Sequence, residues 1–533
     1  MVFFWGLLEL ISLYDSFLRN HIAKHVNKGS GHVSYFSSTI CNELIKLMGD
    51  SVMSVIIKEL KDAKFFSISV DSTPDLSHID QLTITVRYTL ENGPMERFVK
   101  FIPMFNHTGA EIANIIFQFL DENGIDIKNC RGQTYDNASN MSGKYSGVQS
   151  LVKKACEYAD FVPCTAHSLN LVGQHAAEAC DVASRCFEYL RALYAWFAAS
   201  TYRWGILVNH IEPGGSPLLK AESGTRWSAR FDSVKAVNKG YDGVIAALTE
   251  LKLDTTQKPD TRNEAEGFLK KLMKLETVIL LELWYSVLER MHKTSCVLQT
   301  AGLPLNTAVE LLKSLWKFVQ SLRPEFDVYE EKELEKAKIK TYKQTRIRKR
   351  KKQFDEGPSS DTSFTPRGKF KYQVYFVIID KITTCIKTRL EAYSLINKKF
   401  GFFSKLSALS EDEVRNGAND LMEKYPDDFE DSFPSELVHF SHLYQSAEKS
   451  KQLSDMKTSS EHKMLLLLNE LQVTDSFPNV HVALRIYLSI MVSNCTGERS
   501  FSKLKRIKNE LRTRQTQERL TSLSLLSMRL LLL

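Results

Sequence analysis

At 533 residues the chain exceeds one typical domain, and its 43% hydrophobic content is ordinary for a globular protein with a sizeable core. Its formal charge of +7 is mild, so the overall balance favours a nucleic-acid partner only slightly and local clusters have to carry that case. Nine cysteines form no CxxC pair and no disulfide-like spacing, which points to reduced thiols in a cytosolic or nuclear compartment.

In chain order, Met1–Tyr14 has the apolar character of a signal peptide, but it lacks a basic leading region and a small-residue cleavage site, and Glu9 interrupts it. Residues 39–62 carry helical periodicity through Ile40, Leu44, Leu47, Ile56 and Leu60. Phe65–Val70 reads as a strand that closes on Asp71, followed at once by Ser72-Thr73-Pro74. Gln81–Thr89 alternates strictly, the mark of a half-buried strand, and Glu91-Asn92-Gly93-Pro94 signals a turn into another strand at Arg97–Pro103. Thr108-Gly-Ala-Glu111 fits a capping box, with a helix running to about Glu122 and stopping at Asn123-Gly124. A second short strand, Gly132–Tyr135, closes on Asp136 and runs into Asn137-Ala-Ser-Asn140. A helix near Gly147–Tyr158, a strand at Asp160–Cys164 and one long helix from about Leu169 to Ala199 complete this part.

From about 200 to 455 the pattern is almost wholly helical, with long amphipathic segments at Phe268–Leu298, Pro304–Leu322 and Tyr372–Phe402. The most apolar stretch, Val278–Leu288, is broken by Glu282 and is far shorter than the ~20 residues that span a bilayer, so no membrane segment is expected. Arg348-Lys-Arg-Lys-Lys352 beside a Gly/Pro/Ser run makes about 340–367 a disordered loop, suited to nuclear import or phosphate contact if it is more than a solvated charge run. Glu498 opens a helical stripe of Phe501, Leu504, Ile507 and Leu511, whose other face carries Lys503, Lys505, Arg506 and Arg512. Leu520, Leu523, Leu526 and Leu530 form a further apolar face that calls for a partner surface, whether a second chain or this chain's own helical region.

Asp71 and Asp136 thus stand in matching settings at strand ends, where ligands gather in open sheets. Asp is also common there simply because it starts turns, and on residues alone Glu498 is a plain acid favoured by the helix dipole. Cys164 and His167 form a CxxH, but no second pair completes the four ligands of a structural zinc site.

Four segments in order, the strand around Asp71, Cys130–Gln149, Pro163–Leu171 and Glu498–Ser502, closely resemble the hAT superfamily of DNA transposases. Phe4–Leu10 and Tyr14–His21 also resemble the helix that opens the transposase region of the family, which implies that Met1–Tyr14 is an amphipathic core helix instead of a signal peptide. The likeness is strongest to the branch that includes zinc-finger MYM-type and TTF-type proteins. It implies an α/β ribonuclease H-like catalytic domain interrupted by a large all-helical insertion, with a helical C-terminal dimerisation region. The expected boundaries are 1–62 for an N-terminal helical part, 63–199 for the first part of the catalytic domain, 200–455 for the insertion and 456–533 for the dimerisation region that completes the fold. The order three strands, helix, strand, helix, strand, helix agrees with this independently.

The resemblance also implies an Asp71, Asp136, Glu498 triad holding Mg²⁺ or Mn²⁺, with Asp71 bridging two metals and the other acids each completing one. Asp75, the nearest alternative acid, is placed outside that set. His167 is expected to orient near the site or contact DNA, and Trp227, with Arg226, to stack on distorted DNA; Lys503 and Arg506 are expected to contact it. The implied activity is metal-dependent DNA strand cleavage and transfer by a nuclear homodimer or higher oligomer. The alternative is a domesticated, non-catalytic nuclear protein that keeps the fold for dimerisation and DNA or chromatin binding; a ribonuclease or exonuclease is a more distant reading. The chain is expected to begin inside the family's architecture, without the N-terminal zinc finger its relatives carry.

Overall fold

Two neighbouring strands alternate so regularly that they give a sheet one apolar and one polar face. In the computed structural model, which describes residues 10–25, 37–211, 215–222, 227–300, 302–343, 365–450, 458–510, 512 and 515–529, β1 is Phe66–Pro74, β2 Asp80–Leu90, β3 Gly93–Met104, β4 Cys130–Thr134 and β5 Asp160–Phe161. They form a mixed sheet in the order β3-β2-β1-β4-β5. β1 pairs antiparallel with β2 and parallel with β4. The register sets Phe66, Ile68 and Val70 opposite Tyr88, Val86 and Ile84, and sets Ser67, Ser69 and Asp71 opposite Arg87, Thr85 and Thr83. Side chains alternate between faces along a strand, so the first group lines one face and the second group the other.

The chain divides into two compact units, one of Met1–Val162 with Phe402–Leu533 and one of Pro163–Gly401. In the sheet unit the apolar face joins Val52, Ile56 and Leu60 of the Ser38–Ala63 helix and Ile112, Ile116 and Phe119 of the Gly109–Glu122 helix in one buried cluster. Each such side chain contributes roughly 1.5–3 kcal/mol when fully buried.

The polar face is buried as well, against the expectation of a half-buried strand: Thr83 is 0% and Arg87 1% exposed. Burial without partners would cost on the order of 1–3 kcal/mol per group, and the C-terminal part of the chain supplies most of those partners. Arg87 Nε donates to Leu488 O at 2.8 Å and its Nη1 to Glu96 at 3.1 Å. Ser69 Oγ lies 2.6 Å from Asn494 Oδ1, a contact between residues 425 apart in sequence, and 2.7 Å from Thr134 O. Thr134 Oγ1 in turn donates to Met491 O at 2.9 Å. Beyond the end of β1, Asp75 and Lys508 form a buried ion pair at 2.5 Å.

The last described helix, Gln517–Arg529, returns to the same unit. Gln517 Nε2 donates to Phe101 O of β3 at 2.8 Å, Lys46 of the Ser38–Ala63 helix meets Glu518 at 3.3 Å, and Leu520 and Leu525 are buried in the sheet unit's core. Of the apolar face expected to seek a partner surface, Leu520 is buried in this core and Leu526 packs against it, within the unit itself. Leu511 and Leu530 lie outside the described residues.

The Pro163–Gly401 unit contains no sheet among its described residues; a single backbone bridge, Lys274 to Ile339, is its only strand-like pairing there. Its interior holds Trp284, fully buried and edge-on to Phe187 at 4.9 Å, within the apolar Val278–Leu288 stretch. No helix among the described residues is long and apolar enough to cross a membrane.

Several expected elements differ. The long helix expected over Leu169–Ala199 is two, Thr165–Ala177 and Asp181–Ala198, separated where Cys180 is fully extended; no Gly or Pro marks that break. Phe268–Leu298 is likewise split between Pro259–Leu272 and Leu275–Leu298, because Ile339 exchanges backbone hydrogen bonds with Met273 and Leu275. The two compact units divide at Val162 and Gly401: Thr165–Ala177 packs against Phe376–Phe400 in the helical unit, whereas Phe433–Lys449 packs against Pro478–Ser489 in the sheet unit. The expected N-terminal core helix falls mostly outside the described residues. The Ser16–His25 helix buries none of its residues, and Leu13, Tyr14 and Phe17 are exposed; residues 1–9 lie outside the described part. Most of the basic loop, residues 344–364, lies outside it too.

Lys508→Met leaves Asp75 as an unpaired buried charge and is expected to cost about 3–5 kcal/mol. Hydrogen exchange of the β1 and β2 amides should accelerate accordingly, and the Asp75→Asn, Lys508→Met double variant should recover much of the loss. Unchanged protection in the single variant would contradict the role given to this pair.

Candidate active site

The polar face ends at an acidic edge. Asp71 lies within β1 rather than closing it: the strand continues for three residues, with Asp71 opposite Thr83 and Pro74 opposite Asp80. Its carboxylate is partly buried and accepts a hydrogen bond from the Ser72 amide at 2.9 Å. Asp136 stands two residues past β4 and accepts from the Ala138 amide at 3.1 Å, the local turn that Asp favours after a strand. Because β1 and β4 are parallel neighbours, both acids emerge at the same end of the sheet.

Glu498 arrives from the far end of the sequence. It occupies the first turn of the Cys495–Ile507 helix, whose start is fixed by the polar face. Asn494 Nδ2 donates to Val70 O at 3.3 Å, Thr496 Oγ1 to Glu96 at 2.7 Å, and Ser500 Oγ lies 3.2 Å from Thr83 Oγ1. Glu498 itself is exposed, as are Arg499, Ser502, Lys505 and Arg506, while Lys503 is half-buried.

Burial, and then the negative charge of Asp136, push Asp71 up to about 7 from the ordinary carboxylate range; Glu498 adds to this, and the Ser72 amide opposes it. Asp71 is therefore under the charge of both other acids. The three are not packed into a single cluster, however: among the described residues no group of three His, Cys, Asp or Glu side chains is gathered closely enough to hold one metal ion. Glu498 sits on an exposed helical turn, in the first turn of its helix. The donor set still suits Mg²⁺ or Mn²⁺. These hard cations take oxygen ligands, and Mg²⁺ is usually held through one or two carboxylates plus substrate phosphates, so Asp71 and Asp136 suffice from the protein side.

Asp75 is committed elsewhere. Burial works against its ionisation, but the Lys508 ammonium, the Ser77 and Ile79 amides and the Gln81 side chain together hold it below the usual carboxylate range. Asp80, which opens β2 at the same edge, meets His107 at 3.2 Å. The remaining expected residues belong to the helical unit. Cys164 is buried just before the Thr165–Ala177 helix, and His167 is half-buried in its first turn. Trp227 begins the Trp227–Lys239 helix, and Arg226 lies outside the described residues.

Sequence reading missed Ser69, Thr134, Asn494 and Thr496, which register the Glu498 helix on the sheet. The available signal was the type of polar residue: the polar positions of β1 and β2 are mostly Ser and Thr, whose short hydroxyls a packed element can meet, rather than the Lys and Glu of a solvated face.

A carboxylate raised in the folded state binds its proton more tightly there than in the unfolded chain. Without metal, Asp71 should therefore make stability fall as pH rises from about 4 to about 7, by an amount on the order of a few kcal/mol. Denaturation midpoints of metal-free wild type and Asp71→Asn across this window check this: the slope should be shallower in the variant, and identical profiles would contradict it.

Comparison with known proteins now bears on these features. Residues 3–147 match the family described as ZMYM1/FAM200, RNase-like domain, and residues 445–530 match the hAT family C-terminal dimerisation region. The human protein named 52 kDa repressor of the inhibitor of the protein kinase is 26% identical over 140 residues, and its mouse counterpart 27% over 139. Each alignment spans 26% of this chain and only 18% of the relative. With a match to an RNase-like domain at its start and to a hAT dimerisation region at its end, the chain is similar to hAT transposase-derived proteins.

Proposed function

We propose that this protein cleaves and joins DNA strands, with Asp71 and Asp136 as the principal acids and Glu498 as the third. The observation that carries this reading is the partly buried Asp71 under the negative charge of both other acids, at the edge of an RNase-like sheet. Such an arrangement destabilises the free protein, and a bound divalent cation relieves it. Mg²⁺ or Mn²⁺, held by Asp71 and Asp136, supplies stabilisation of the attacking and leaving oxygens of an in-line displacement. The chain's own part is to position. The exposed Arg499, Lys505 and Arg506 and the half-buried Lys503 share a helix with Glu498 and suit phosphate contacts on either side of the scissile bond.

The same reading takes the sheet unit as a ribonuclease H-like catalytic domain and the Pro163–Gly401 unit as an insertion within it, from which His167, Arg226 and Trp227 contact DNA. Its sequence position supports this, since the two halves of the sheet unit flank it. The hAT dimerisation region supports a homodimer or higher oligomer, and a nuclear location follows from a DNA substrate.

A second reading has its own observation. The absence, among the described residues, of a three-acid group able to hold one metal favours a domesticated protein that binds DNA or chromatin without cutting it. The human and mouse relatives reported above carry the word repressor in their name, which suits that reading.

The two separate on activity. Purified protein with Mg²⁺ or Mn²⁺ and DNA carrying its element's ends, tested also with a zinc-finger module fused upstream, should nick or join strands. Asp71→Asn should lower this by at least about 10²-fold with the fold intact. Cleavage without metal, or equal activity in the variant, would contradict the catalytic reading and leave the binding protein.

A further inference from the structure

Two exposed aromatic rings stand at the acidic edge on loops that brace each other. Phe105, just after β3, is 81% exposed, and Tyr145, in the loop that follows Asp136, is 89% exposed. β3 ends beside the start of β2, with Met104 opposite Asp80, and Asp80 is opposite Pro74 at the end of β1. Phe105 therefore leaves the sheet at the same end as Asp71 and Asp136. Asn140 Nδ2 donates to His107 O at 2.9 Å, which ties the loop after Asp136 to the loop carrying Phe105.

The Tyr145 loop is closed tightly. Gly147 N donates to Gly143 O at 3.2 Å, and a Cβ on Gly147 would lie 2.4 Å from Gly143 N. A Cβ on Gly109 would come within 2.4 Å of Ser146 O, so the loop also rests on the start of the Gly109–Glu122 helix. Ser150 Oγ donates to Tyr145 O at 3.2 Å and Gln149 Nε2 to Ser142 O at 2.9 Å. The backbone is thus pinned on both sides of Lys144-Tyr145-Ser146, all three exposed. A Tyr ring on such a backbone has few conformations to lose on binding, which is what a stacking surface requires.

We infer that Tyr145 and Phe105 form a stacking site for unpaired DNA bases beside the acidic edge, with Lys144 contacting the phosphate of the same strand. The choice of DNA rests on the strand-cleaving reading; the placement of the rings does not. Aromatic rings bind bases through their π faces with little sequence preference, so the site would hold strand ends opened next to the cleaved bond rather than read a sequence. A neighbouring ammonium adds the salt-dependent contact to the backbone.

The test uses the full chain in EDTA, so that no cleavage intervenes, and a single-stranded oligonucleotide carrying 2-aminopurine. Wild type should quench the probe on binding. Tyr145→Ala and Phe105→Ala should each weaken its affinity by about 5- to 100-fold, as expected for the loss of one stacked base. Affinity for blunt duplex should change less than about twofold, and Tyr145→Trp should retain both binding and quenching. Lys144→Ala should reduce the salt dependence while leaving the quenching amplitude. Wild-type affinity and quenching in both alanine variants, or no binding of single strands by wild type, would overturn the inference. Quenching by wild type without any metal-dependent cleavage would uphold the stacking site and remove the catalytic reading instead, so the two failures are distinct.

Discussion

Everything at the acidic edge depends on a sheet whose polar face is buried. Ser69, Thr83, Arg87 and Thr134 cannot be left without partners in the interior, and they find them on Leu488, Met491, Asn494 and Ser500, some four hundred positions further along. Unsatisfied, each would cost on the order of 1–3 kcal/mol, so only one register of the C-terminal segment is acceptable. An apolar face would have bound that segment as tightly but would have tolerated sliding. Hydrogen bonds fix where the Cys495–Ile507 helix begins, and so where Glu498 stands relative to Asp71.

That constraint explains why the edge is electrostatically unfavourable yet stable. Asp71 is held under two like charges by contacts that do not involve its own carboxylate: the sheet ladder on one side and the Asn494 and Thr496 anchors on the other. Asp75, four residues on, shows the opposite design, with its charge met by Lys508 and its oxygens filled. Two aspartates on one short segment thus have separate tasks, one holding the fold and one available for a ligand. Electrostatic environment tells them apart where spacing does not.

Much of this was legible in the sequence. Alternation in Gln81–Thr89 and turn formers after Phe65–Val70 and Gly132–Tyr135 located the strands, and small polar residues after each aspartate located the edge. What alternation could not reveal was that the polar face is buried, because a Thr facing water and a Thr facing Ser500 look the same from the strand's own residues. The helix breaks at Cys180 and Met273 were hidden for a related reason. Neither carries a Gly or Pro, and the Met273 break is imposed by the distant backbone of Ile339. Family resemblance named Glu498, but its exposed position on the helix, outside any three-acid cluster, could come only from the folded chain.

The proposal most open to test is that the C-terminal segment sets Glu498 close enough to Asp71 and Asp136 for its charge to act on a cation bound there. Titration of Mn²⁺ into wild type and Glu498→Gln, followed by electron paramagnetic resonance of the free ion, tests it most directly, because it reads the site without DNA or cleavage. The account predicts a bound ion in wild type and an affinity roughly tenfold weaker in the variant, about 1.4 kcal/mol. Equal affinity in the two proteins would show that Glu498 takes no part in the site and would contradict the account.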